Sequence, residues 1–176
     1  MNNLKRYSIV SMLLALAIVI GYVESFIPLF IPGFKLGLAN VIIMIMIYEF
    51  KWYEAFIVDI LRIVILGIIF GTLLNPIFFM SLFGGLLSFI VMLILSKIKV
   101  FSIIGVSVLG ALSHSFGQII VAIIILSLNA VIYFFPFIAI LSLGSGILSG
   151  IIARTYLKRS ITKNYIECNT NFNDND

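Results

Sequence analysis

Six apolar runs, each closed by a short break of Pro, Gly, Asn or Lys, fill this chain almost from end to end. They cover about 7–27, 37–50, 54–72, 77–96, 101–127 and 135–156. A helix that crosses a bilayer needs roughly 17–25 mostly apolar residues. A chain that repeats the pattern six times can hide it from water only in lipid. The composition agrees, with 62% of 176 residues hydrophobic and 10% charged, against about 45–50% and about 25% in soluble domains. A soluble domain of this size leaves too much surface exposed to conceal that excess. The expected fold is an all-α integral membrane protein of six transmembrane helices. The second run is short and is expected to be tilted or sunk into the bundle.

The breaks carry turn chemistry. Pro28, Pro32 and Gly33 close the first run, Lys51 and Trp52 the second, and Asn75 with Pro76 the third. Lys97 and Lys99 close the fourth, and Asn129 through Pro136 the fifth. Lys5 and Arg6 before the first run imitate a signal peptide, but no small-x-small cleavage site follows, so the run reads as a retained helix. One membrane domain is expected over 1–160. The polar stretch 161–176, ending "CNTNFNDND", reads as a disordered cytoplasmic tail.

Basic residues set the orientation, because cytoplasmic ends collect Lys and Arg. Placing both termini in the cytoplasm puts Lys5, Arg6, Lys51, Lys97, Lys99, Arg154, Lys158, Arg159 and Lys163 inside, and only Lys35 outside. Tyr7, Tyr48, Trp52, Tyr53 and Tyr156 then fall at the inner boundary, and Phe26, Phe30, Phe34, Tyr133 and Phe134 at the outer one. This topology accounts for the net charge of +4. No basic stripe with interleaved aromatics points to nucleic acid.

Polar residues within the runs carry the functional signal, since an Arg or Asp at mid-bilayer costs about 2.5–3.5 kcal/mol on insertion scales. Asp59 and Arg62 stand three apart on one face of the third run. They form either a self-neutralising structural pair or an arrangement in which Asp59 orients Arg62 towards a ligand. In the fifth run Ser107, Gly110, His114, Gly117, Gln118 and Val121 share one stripe, which suits helix packing and a cavity wall equally well. The stretch "IPGFKLGLAN", residues 31–40, breaks the apolar pattern on the outward side. It is either a structural reentrant turn with Lys35 snorkelling to the headgroups or a wall of an outward pocket with Lys35 and Asn40 as polar contacts. Glu24 is a candidate partner of Lys35. One histidine, and one cysteine (Cys168) confined to the tail, cannot complete a metal site or a disulfide. A serine beside a histidine on one helix is not a catalytic triad.

The motifs "IPGFKLGLAN", "DILRIVILGIIFGT", "FGGLLSFIVM" and "GVSVLGALSHSFGQIIVA" together resemble the Gx transporter family, also labelled heptaprenyl diphosphate synthase component I, over roughly 8–156. The family is similar to the substrate-binding S components of energy-coupling-factor transporters. The resemblance implies a six-helix S-component-like bundle in the bacterial cytoplasmic membrane. It would bind a small molecule and work with a membrane scaffold subunit and cytosolic ATPases. Substrate-binding candidates are Arg62, His114, Gln118, Asn40 and Lys35, supported by Asp59. The small residues Ser11, Ala15, Ala17 and Gly21 of the first helix match the scaffold-docking role.

The alternative implied by the second label is a non-catalytic accessory subunit in isoprenoid or quinone metabolism, or in a membrane redox system. Neither an aspartate-rich diphosphate motif nor a P-loop occurs in the chain, so neither prenyl transfer nor ATP hydrolysis of its own, nor a cofactor, is expected.

Overall fold

The computed structural model describes residues 3–27, 34–98, 100–126 and 129–173, and of 3, 126, 129–131 and 160–173 the backbone alone. The expected breaks at Pro28, Pro32 and Gly33, the interfacial Phe30 and the basic Lys99 lie outside the described residues. The described chain is all helical: α1 (Asn3–Glu24), α2 (Asn40–Glu49), α3 (Trp52–Ile69), α4 (Pro76–Lys97), α5 (Ile103–Leu126) and α6 (Phe135–Asn173), with a 3-10 turn over Asn129–Phe134.

The breaks work as their chemistry dictates. Pro76 opens α4, where its missing N–H costs nothing. At the α2–α3 corner Phe50 and Lys51 are extended, and the Glu54 carboxylate turns back to accept the Lys51 N–H at 3.1 Å. Gly71 takes the left-handed conformation (φ 62°) after α3. The Thr72 N–H then reaches the Gly67 carbonyl at 2.9 Å and closes a Schellman motif.

Four helices, α1, α4, α5 and α6, are long and apolar enough to cross a membrane. α3 rises about 27 Å at 1.5 Å per residue but carries Glu54, Asp59 and Arg62. α2 is different in kind. Its 10 residues span about 15 Å, half a hydrocarbon core. Asn40 through Met46 are all buried, and α2 touches each of the other five helices. A helix apolar on every side belongs in an interior, and α2 is the plug around which the bundle closes. α6, with 39 residues, is about 58 Å long and continues as helix past residue 160.

Around α2 packs a core of Ala17, Ile43, Met44, Met46, Val58, Phe89, Met92 and Val106. A second core joins Phe34 to Met80, Ile119, Val121 and Ala122. Phe34 is therefore a core residue and not the interfacial aromatic that its position suggests, because the irregular segment 34–37 turns it inward. α1 packs mainly on α3, and α5 between α4 and α6. Small residues allow the close approaches. A methyl group added at Gly146 would stand 2.8 Å from the Val108 backbone, and one at Gly150 2.9 Å from Ile104.

Candidate functional site

The site begins with the turn that delivers α2. Gly37 has φ +80°, a left-handed conformation that glycine adopts without penalty. It folds the irregular segment 34–37 back against α1 and α5 just before Asn40 starts α2. The Glu24 carboxylate at the end of α1 accepts the Gly37 N–H through Oε1 and the Ala39 N–H at 3.4 Å through Oε2. These are donors otherwise orphaned at a helix start. Glu24 thus caps α2 instead of forming an ion pair with Lys35. The sequence shows the two charges close together but not that buried backbone donors lie nearer to the carboxylate.

Behind this turn lies a buried polar chain. Arg62 Nε donates to Asp59 Oδ1 at 2.9 Å, and Nη2 donates to Asn40 Oδ1 at 2.6 Å. Asn40 Nδ2 donates to Ser88 Oγ on α4 at 3.0 Å. Asp59, Arg62, Asn40 and Ser88 are all buried. In a low dielectric the ion pair is held by these surrounding hydrogen bonds as much as by its own attraction.

A second chain comes from α5. The Lys35 backbone N–H donates to Gln118 Oε1 at 3.2 Å, and Gln118 Nε2 lies 2.8 Å from His114 Nε2. With Oε1 fixed as acceptor, the amide nitrogen is the donor to the ring. His114 Nε2 therefore carries no proton, and the neutral imidazole holds its proton on Nδ1. That Nδ1, beside the Gly84 backbone, finds no acceptor at hydrogen-bonding geometry. Asp59 Oδ2 is likewise buried without a partner. Burial pushes the Lys35 ammonium below its ordinary value, with Glu24 opposing the shift and Arg62 adding to it.

α4 makes the convergence possible. Its Ser81, Gly84, Gly85 and Ser88 are buried along one face. A methyl group at Gly84 would stand 2.9 Å from the His114 carbonyl, and one at Gly85 3.4 Å from Asp59 Oδ2 and 2.7 Å from Ile63 Cδ1. The glycine pair lets α3 and α5 close in from opposite sides. This small-residue stripe is readable in the sequence at i, i+3, i+4 and i+7, though "FGGLLSFIVM" enters there only as a motif of resemblance. Ser81 and Ser88 are not among the candidate site residues, although Ser88 lies within that motif.

Between the chains is a cleft of about 20 Å³, bordered by Glu24, Lys35, Gly37, Arg62, Ser81 and His114. That space holds about one water. The structure thus brings Arg62, Asp59, Asn40, Lys35, Gln118 and His114 into one buried cluster. Of the four small residues on α1, Ala17 and Gly21 face the interior, where Gly21 lies against Leu66, while Ser11 and Ala15 remain exposed. Among the described residues no three His, Cys, Asp or Glu side chains gather as a metal site.

Among known families, the model for heptaprenyl diphosphate synthase component I matches residues 13–156. No curated protein and no solved structure matches the chain.

Proposed function

The chain belongs to the heptaprenyl diphosphate synthase component I family, and from that premise we propose that it is a substrate-binding membrane subunit of an energy-coupling-factor-type uptake system. It lies in the bacterial cytoplasmic membrane with all six helices embedded and both termini inside. The observation that carries this reading is the buried cluster. Five helices and the 34–37 segment send polar side chains to one place, where buried Asp59 Oδ2 has no partner and His114 Nδ1 has only the Gly84 backbone beside it. A cluster that served packing alone would satisfy its own polar atoms.

Arg62, Lys35 and His114 Nδ1 supply donors, Asp59 Oδ2 an acceptor, and Asn40 and Gln118 fix their directions. The cleft admits one water, so a larger ligand enters only as the segment 34–39 moves away from α1, releasing the contacts to Glu24. The protein performs no chemistry in this reading. Cytosolic ATPases act through a scaffold subunit that docks at the exposed Ser11 and Ala15.

A second reading, favoured by the family's description, makes the chain the non-catalytic membrane partner of a prenyl diphosphate synthase. Affinity purification from native membranes separates the two. Recovery of two ATPases with a membrane scaffold supports transport, and recovery of a prenyl synthase without them contradicts it.

A further inference from the structure

The larger concavity lies at the other end of the bundle. Where the α2–α3 corner meets the C-terminal turn of α4, a pocket of about 440 Å³ is bordered by Tyr48, Phe50, Lys51, Trp52, Leu93 and Lys97. Its volume falls in the range of small-ligand sites, about 300–1,000 Å³, and far exceeds the cleft at the polar cluster. Two cations reach it from different elements, Lys51 from the corner and Lys97 from the last turn of α4.

The neighbouring carboxylates are not part of the pocket's lining. Glu54 is neutralised by its ion pair with Arg6 at 2.6 Å, and Glu49 is held by Tyr156. Among the described residues the lining itself carries two lysines and no carboxylate, and on that ground the pocket is electropositive. Its wall is apolar at Ile47, Phe50 and Leu93. Trp52 and Tyr53 stand exposed at the rim, with the Lys51 ammonium 5.5 Å from the Tyr53 ring. Basic pockets between membrane helices flanked by such aromatics are suited to lipid headgroups.

We infer that this pocket binds the phosphate of an anionic membrane lipid between Lys51 and Lys97, with the acyl chains leaving over Phe50 and Leu93. The site is separate from the buried polar cluster and independent of what that cluster binds. An attractive lysine beside an anionic lipid is worth about fivefold in affinity, roughly 25-fold for the pair.

The test is native mass spectrometry of the full chain released from bilayers of phosphatidylcholine and phosphatidylglycerol. The wild type is expected to retain one phosphatidylglycerol in preference to phosphatidylcholine. K51Q/K97Q should lose that preference, and K51R/K97R should keep it, with unchanged melting temperatures showing that all three fold. Inorganic phosphate added to the wild type distinguishes the source. Failure to displace the lipid supports a headgroup site, whereas displacement with phosphate retained makes it a free-phosphate site and overturns the lipid assignment. No preference in the wild type, or equal retention by K51Q/K97Q, overturns the proposal altogether.

Discussion

Arg62 is the residue on which the interior depends most. Its guanidinium neutralises buried Asp59 and orders Asn40, so Arg62→Ala leaves a carboxylate uncompensated and should cost about 3–5 kcal/mol. Arg62→Met with Asp59→Leu removes both charges and should recover much of that loss while abolishing ligand binding, which thermal melts in detergent beside a binding assay would show. Lys35 makes a contribution of opposite character. Because burial lowers its folded value, the unfolded chain holds more protons in the window between that value and the ordinary 10.5. Stability attributable to Lys35 therefore rises as pH rises through that window, and Lys35→Met should flatten the dependence of melting temperature on pH there. The sequence exposes the members of the cluster, since each is a polar residue set in an apolar run. It does not expose the Gln118 orientation or the Glu24 cap, which depend on a turn at Gly37 that only the assembled helices position.

At the scale of elements, the glycines of α4 and α5 separate packing from propensity. Gly84→Ala would push against the His114 carbonyl, and Gly117→Ala against the Gly84 and Phe83 backbone at 3.0 Å. Neither neighbour is a flexible side-chain end, so each change should destabilise by about 1–3 kcal/mol. Gly144 is exposed on α6, and a methyl group there meets nothing within 4 Å. Gly144→Ala should instead be neutral or stabilise by up to about 1 kcal/mol, and the same melts read both signs. Helix positions are legible from apolar runs and breaks because both are local properties. The fate of α2 is only partly legible. Its shortness announces an element that cannot span alone, but its burial against five helices is a property of the assembly. The end of α6 is the least legible, because helix there continues through polar residues with no apolar pattern to mark it.

The whole molecule is polarised. Lys51, Lys97 and the large pocket occupy one end, where Arg6 and Glu54 tie α1 to α3 at 2.6 Å. The buried cluster lies nearer the other, where Tyr22 stacks on Phe70 with centroids 5.4 Å apart. The proposed orientation puts the tail inside, so a membrane-impermeant maleimide should label the single Cys168 only after the inner face is opened; labelling in intact cells would reverse the topology. The central claim is that the buried cluster holds a small molecule, and native mass spectrometry of the purified chain tests it most directly. The comparison sets wild type beside His114→Ala and Arg62→Gln, each checked for folding. The account predicts one stoichiometric small molecule on the wild type, lost from both folded variants. A wild type that remains empty, or a ligand retained by both variants, would contradict it.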